Sequence, residues 1–369
     1  MPTGSHERPG AVTVAIPCFR AARVIEAALD AWRDQDWPPA EIIVIDDGSD
    51  DATAARVAAW QARNPSMALE LIRRPCRQGI GASRNRALSA ARTEWLLFTS
   101  ADCIADARCL GQFRQVLTAC SAQIMVGAVQ LLNTDSPYVQ YNQALFAAAS
   151  PHATAFRAYS LGNCVVHGPT VAAHGIRFDE TFWWGAEDMD FEYAAFRAGM
   201  VATWVPNAVV WRTHDAALWP WVRHHFTYGW GDARLLAKCL GLHPVETVFF
   251  DLFRSAWFVD TDFVLAEMRA GGIRRFNLRV LGGLLVTGGL LAGGLLAPGW
   301  LLALCLVGLA GPWWSRRHRM AARPRLPRDI LFNLIRWSAR QAGGLTLLLA
   351  PVGKTRECLH DVPHDARTG

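Results

Sequence analysis

The chain has 369 residues, 51% of them hydrophobic, with 37 Lys and Arg against 32 Asp and Glu and a formal net charge of +5. That length buries a substantial core and leaves room for more than one domain. So small a basic excess, with its arginines gathered around an apolar block, argues against nucleic acid as a partner and favours a membrane surface.

Residues 1–10 are polar and read as a loose tail with no apolar signal segment, so the domain that follows is expected on the cytoplasmic side. The run AVTVAIPCF (Ala11–Phe19) is a buried strand ended by a proline, and AARVIEAALDAWRDQ has the apolar spacing of a helix. EIIVIDDGSDD then gives a second apolar strand, Ile42–Ile45, closed by Asp46, Asp47 and Gly48. Ser49 or Asp50 is expected to cap the next helix, Ala52–Arg63. LELIRR is a third strand, GIGASRNRALSAAR a third helix and EWLLFTSAD a fourth strand.

Strands that are apolar on both faces and alternate with helices imply a doubly wound α/β domain around a mostly parallel sheet. Ligands of such sheets bind beyond the carboxyl ends of the strands. Pro17, Asp46–Asp47 and Ser100–Asp102 all fall at those ends and point to one crevice. The nine cysteines include no CxxC pair, so they are read as free thiols in a reducing compartment rather than a disulfide or zinc framework.

Residues 121–215 are less regular. Their landmark is FDETFWWGAEDMDFEYAAFRAG, in which Gly185 opens a helix with Glu187, Asp188 and Asp190 in its first turn and Gly199 closes it. ATWVPNAVVWRTHD reads as a strand running into His214. Residues 216–279 mix aromatic, basic and apolar positions, as helices at a membrane interface do.

Residues 280–314 carry no charge at all, a run longer than one membrane span and shorter than two. A hairpin turning at Pro298–Gly299 is the favoured reading, with a single tilted span as the alternative. Arg274, Arg275 and Arg279 stand before the run and Arg316, Arg317 and Arg319 after it, which puts both ends on the cytoplasmic side. In residues 315–369 the apolar stretch Ile330–Ala350 holds Arg336 and Arg340 and reads as either interfacial or spanning.

Taken in order, VTVAIPCFRAARVIEAALDAWRDQDWPPAEIIVIDDGSDDAT, RQGIGASRNRALSAARTEWLLFTSADC, FDETFWWGAEDMDF and PNAVVWRTH resemble the family 2 glycosyltransferases of GT-A fold, over roughly Val12 to His214. The resemblance implies a glycosyltransferase domain over residues 11–215, followed by C-terminal membrane helices. It implies that Asp47 binds the base or ribose of a nucleotide sugar, with Pro17, Asp46, Arg84, Asn85 and Ser100 around the same nucleotide. The family's D-x-D element falls on Ser100–Ala101–Asp102, so Asp102 keeps the metal-binding acid while the first acid has become a serine. His214 matches a histidine that often supplies a further ligand, and a weakly bound magnesium or manganese ion is the implied cofactor. Asp188 matches the base that takes the acceptor's proton, Glu187 lies beside it against the acceptor, and Trp183 and Trp184 are acceptor-stacking candidates.

The implied reaction is inverting transfer from a UDP- or GDP-sugar to a lipid-linked or small acceptor. It would serve a cell-envelope glycan at the cytoplasmic face of the inner or plasma membrane. The Q-x-x-R-W stretch of processive synthases is absent, so one sugar per encounter is expected. Two alternatives stand beside this reading. One is a membrane-anchored nucleotide-sugar-binding subunit with a degenerate metal site, which would not be expected to keep Glu187–Asp188. The other is a nucleotidyltransferase, which would be expected to carry a glycine-rich loop where IPCFRAARV has none.

Overall fold

The computed structural model describes residues 10–148, 161–183, 185–214 and 216–240, with residues 335, 336, 338–340, 342–344 and 346 near the C-terminus. The chain divides into two compact units: Met1–Gln143, Pro151–Pro220 and Gly353–Gly369 in the first, Ala144–Ser150 and Trp221–Val352 in the second.

The first unit begins as expected. Strands β1 (Val12–Cys18), β2 (Glu41–Asp46), β3 (Leu69–Arg73) and β4 (Trp95–Phe98) alternate with helices α1 (Ile25–Arg33), α2 (Thr53–Arg63) and α3 (Ile80–Ala90). β1 pairs in parallel with both β2 and β4, and β2 with β3. Every residue of β1 and β2 is buried, which is why these strands read as unbroken apolar runs. Their side chains alternate between two cores. Val12, Val14 and Ile16 face Ile25, Leu29, Trp32, Val57 and Trp60 of α1 and α2. Ala15, Ile43 and Ile45 join Leu96, Phe98 and Ala87 on the opposite side.

The rest of the unit turns the sheet mixed. β5 (Cys103–Ala105), α4 (Cys109–Leu117), β6 (Ile124–Leu131), α5 (Pro137–Ala148), β7 (Cys164–His167), α6 (Gly168–Ala173), α7 (Glu187–Arg197) and β8 (Ala202–Arg212) follow. Among the described residues they complete an eight-stranded sheet in the order β3-β2-β1-β4-β7-β6-β8-β5. β7 runs antiparallel to β4 and β6, and β5 antiparallel to β8.

β8 carries Pro206, which a central strand tolerates only at an irregularity. The register supplies one: Gly127 faces Val205 but Ala128 faces Val209. The Asn163 amide donates to the freed Ala208 carbonyl at 2.8 Å and to Ala128 at 3.1 Å. It fits there because Gly127 has no side chain; a Cβ on Gly127 would collide with it.

One local expectation is corrected. Neither Ser49 nor Asp50 caps α2: the Ser49 hydroxyl accepts the Arg20 N–H at 2.8 Å, and Asp50 takes the Arg20 guanidinium through two 2.7 Å hydrogen bonds. The cap position is Ala52, with no side-chain cap, and the preceding Asp51 accepts the Thr53 N–H at 3.0 Å in a local turn.

The second unit contains most of α8 (Leu218–Leu240). The described helical residues between 335 and 344 lie against it so closely that a Cβ on Gly229 would collide with the Arg340 carbonyl. Arg340 of the expected interfacial or spanning segment is taken up there, donating to Asp232 at 3.0 Å. Among the described residues no helix is long and apolar enough to cross a membrane. The expected interfacial helices after residue 240 and the run 280–314 lie outside the described residues.

Gly48 sets the turn between β2 and α2. Its φ is +78°, and a Cβ there would lie 2.6 Å from the Cys76 carbonyl carbon. Gly48→Ala should therefore lower the unfolding free energy by at least about 2 kcal/mol, from a left-handed backbone and a clash with main chain together. Urea denaturation with an unchanged midpoint would show that this turn is not tightly held.

Candidate active site

The carboxyl ends of β2, β1 and β4 place the first group of expected residues together. Pro17 is the cross-strand neighbour of Ile45, and Cys18 of Asp46. Asp46 is fully buried and accepts the Ser49 N–H at 3.0 Å, with Arg73 at 3.6 Å. Asp47 is also buried, and its two oxygens accept the N–H groups of Gln78 at 3.0 Å and Gly79 at 2.8 Å. Arg74 stands 3.4 Å away. Burial raises the Asp47 carboxyl above its usual range, while those two N–H groups and Arg74 pull it back. Asp47 thus ties the β2 end to the first residues of α3. Beside it, Phe19 carries the guanidinium groups of Arg20 at 5.2 Å and Arg77 at 4.6 Å from its ring centre.

On α3 the two expected nucleotide residues meet the other half of the domain. The Asn85 amide pairs with the Phe178 backbone, donating to its carbonyl at 2.9 Å and accepting its N–H at 2.9 Å. It also donates to Glu180 at 3.0 Å. Arg84 is buried and donates to Glu187 Oε1 at 2.6 Å across 103 residues of sequence. Its guanidinium also lies over the Phe178 ring at 5.5 Å.

Glu187 opens α7. The preceding Ala186 has φ +69°, a left-handed conformation that an alanine rarely adopts. Such strain persists where the surroundings enforce it, and it aims the acidic first turn here. The Glu187 carboxyl is pushed up to about 7, first by its burial and then by the neighbouring Asp188, with Arg84 opposing both. Asp188 is half-buried, and its Oδ1 accepts the Met189 N–H at 2.9 Å. Among the described residues no arginine pairs with it. Trp183 is half-buried, and its ring lies 3.6 Å from where a Cβ on Gly79 would stand. One tryptophan of the expected pair is therefore beside the turn that Asp47 holds; Trp184 lies outside the described residues.

The expected metal residues are arranged differently from a carboxylate cluster. The Ser100 hydroxyl donates to Asp102 Oδ1 at 2.5 Å, and Arg212 Nη2 donates to Asp102 Oδ2 at 3.1 Å. Arg212 is held there by the ladder, because it is the cross-strand partner of Cys103. His214 has its backbone bracketed by Asn133, through hydrogen bonds of 2.7 and 3.0 Å, and its Nδ1 lies 3.1 Å from the Asn142 amide. Among the described residues no three His, Cys, Asp or Glu side chains converge on a point. A hard divalent cation needs several oxygen ligands with negative charge among them. The single carboxylate here is already balanced by a guanidinium, a poor fit to such an ion.

Sequence reasoning missed Arg212 altogether. Its only trace was a basic residue two positions before the histidine that drew attention. It also missed Phe19, Arg20 and Arg77, whose grouping depends on two loops meeting.

Residues 13–178 match the model of the family described as Glycosyl transferase family 2. Over 261 residues the chain is 27% identical to the Pre-mycofactocin glycosyltransferase of Mycobacterium tuberculosis (strain ATCC 25618 / H37Rv), covering 66% of this chain and 52% of that protein. It is 30% identical over 124 residues to the Succinoglycan biosynthesis protein ExoO of Rhizobium meliloti (strain 1021), 34% of each chain. The chain thus spans about half the length of the Mycobacterium relative and a third of the Rhizobium one.

Among solved structures, a mannosyltransferase from Pyrobaculum calidifontis in complex with GDP-Man and Mn2+ superposes with a TM-score of 0.57. It is 21% identical, over 93% of this chain and 88% of that one. S. aureus TarS 1-349 in complex with UDP-GlcNAc gives 0.50 at 14% identity, over 92% of each chain. At such identities the likeness is one of fold, and it is the mixed α/β sheet described above. The match over residues 13–178 and that fold agree with each other: both are similar to those of a family 2 glycosyltransferase domain of the GT-A type.

Proposed function

We propose that this transferase moves a sugar, with inversion, from a nucleotide-diphosphate donor to a hydroxyl of a lipid-linked or small acceptor. The observation that carries the reading is the state of Asp188. Asp46, Asp47, Asp102 and Glu187 each have an arginine within 3.6 Å, whereas among the described residues Asp188 has none. A guanidinium beside a carboxylate occupies its oxygens and competes with an incoming hydroxyl for them. Asp188 is the one of these five acids that no guanidinium engages among the described residues, and it is the one we assign to the acceptor hydroxyl.

In the transfer the acceptor oxygen bonds to the anomeric carbon as the bond to the donor's phosphate oxygen breaks. Asp188 receives the hydroxyl proton, and the nucleoside diphosphate leaves with the electron pair. Glu187, shifted up by its burial and tied to Arg84, is held beside Asp188 at the start of α7. Trp183 gives the acceptor sugar an aromatic face next to the Gly79 turn.

Relatives of this fold bind UDP-GlcNAc or GDP-Man, which supports a nucleotide-sugar donor for this chain without choosing the base. The Mn2+ of the mannosyltransferase belongs to that protein; here Asp102 is already balanced by Arg212, and the transfer is assigned to protein groups. The uncharged run at residues 280–314, with arginines on both sides, supports work at the cytoplasmic face of a membrane. The rival reading of a non-catalytic binding subunit accounts for Ser100 but not for an acidic turn held by a buried ion pair.

Two outcomes test this assignment. Asp188→Asn should reduce turnover with UDP- or GDP-sugar donors by roughly 100- to 10,000-fold while leaving UDP or GDP affinity within about twofold. Unchanged turnover would remove Asp188 as the base. The second outcome concerns Glu187, whose folded-state value of about 7 lies above its ordinary 4.5. Its contribution to stability is full below about pH 4.5 and is lost as the pH rises through about 7. Unfolding free energies measured by urea across that range should fall for the wild-type chain and stay flatter for Glu187→Gln. Parallel profiles would mean that Glu187 is not held protonated by its burial.

A further inference from the structure

The crevice brings a cation to the one place where the family's acidic pair is incomplete. Asp102 lies just past the end of β4, and its two oxygens are held by the Ser100 hydroxyl at 2.5 Å and the Arg212 guanidinium at 3.1 Å. The third polar neighbour is a thiol: the Ser100 oxygen lies 3.1 Å from Cys103 Sγ, and burial keeps that thiol protonated. One negative and one positive charge therefore meet there, where two carboxylates would leave an uncompensated negative field.

Arg212 is fixed by the β5–β8 ladder, yet its side chain remains 23% exposed, so it is both positioned and reachable. A nucleoside diphosphate leaving the crevice concentrates negative charge on its phosphates. A planar guanidinium meets phosphate oxygens with two parallel donors and never deprotonates.

We propose that Arg212, oriented by Asp102, takes the charge of the donor's diphosphate in the role that a divalent cation fills elsewhere in this fold. The inference rests on the glycosyl-transfer reading and adds to it the group that stabilises the departing anion. Asp102 then acts as a positioning residue, holding the guanidinium through one oxygen while Ser100 fixes the other. The serine belongs to the same arrangement: an acid at position 100 would draw Arg212 toward itself and away from the phosphates.

The test is calorimetric titration of the full-length chain with UDP and with GDP, once in EDTA and once with manganese. The expected result is binding that is equal within about twofold in the two conditions. Arg212→Gln should weaken that binding at least tenfold with its melting temperature preserved, and Arg212→Lys should restore part of it. A preserved melting temperature separates loss of a phosphate partner from loss of a structural ion pair. Ser100→Asp combined with Arg212→Gln should make whatever binding remains depend on manganese. Nucleotide binding by the wild-type chain that requires manganese would overturn the inference and leave the transferase reading intact. Undiminished binding by Arg212→Gln would do the same. Failure of UDP and GDP to bind in either condition would overturn both the inference and the donor assignment beneath it.

Discussion

The buried contact between Arg84 and Glu187 is the constraint on which the rest of the site depends. α3 belongs to the parallel half of the sheet and α7 to the half where strands reverse, and this 2.6 Å ion pair joins them. Burying two charges is costly, and a well-packed apolar pair in their place would be as stable. Removing one partner alone is a different matter, since it leaves an uncompensated charge and typically costs about 3–5 kcal/mol. The pair is therefore hard to lose piecemeal, and it fixes where α7 begins. Asn85, one residue on, pins Phe178 through its backbone and so closes the same junction from the other side. At that start of α7, Ala186 is left-handed and Asp188 is half-buried, with its Oδ1 accepting the Met189 N–H.

The donor side follows the same economy of acids. Asp46 and Asp47 sit at the end of a fully buried strand, where an unsatisfied carboxylate would be expensive. Each is used to hold a turn: Asp46 the one through Ser49, Asp47 the one through Gln78 and Gly79. That use is compatible with a neighbouring nucleotide, because a carboxylate can accept more than one hydrogen bond per oxygen. It also explains why two glycines are needed nearby. Gly48, with φ +78°, and Gly79, with φ +93°, let the main chain bend close around Asp47. The Trp183 ring lies beside Gly79, so the turn held by Asp47 also supports the aromatic residue proposed for the acceptor.

Much of this was legible in the chain before any coordinates. β1, β2 and the helices between them are written as local patterns: unbroken apolar runs, helical spacing, acids at strand ends. The convergence of Pro17, Asp46–Asp47 and Ser100–Asp102 followed from the general rule for strand ends, and the family resemblance from their order. The second half of the sheet was not legible in the same way. β5 and β7 are three and four residues long, too short to show a period. The irregularity in β8 depends on Asn163 filling the space over Gly127, a match between positions far apart. The expected cap of α2 did not form, because Ser49 and Asp50 are drawn away by Arg20, and only the fold shows that Arg20 is near.

The least legible pairings are those that decide the chemistry. Arg84 finds Glu187 across 103 residues, and Arg212 finds Asp102 across 110. From sequence alone each arginine looks like a solvated side chain and each acid like a free carboxylate. Pairing reverses both impressions and changes what the crevice is for. Among the described residues Asp46, Asp47, Asp102 and Glu187 each have an arginine close by, and Asp188 does not. In the proposed transfer those arginines would bear on two things, how an anionic donor is received and which acid is left for the acceptor. Arg212, which looks incidental in the run VVWRTH, is brought by its place on β8 to the acid of the S-x-D element.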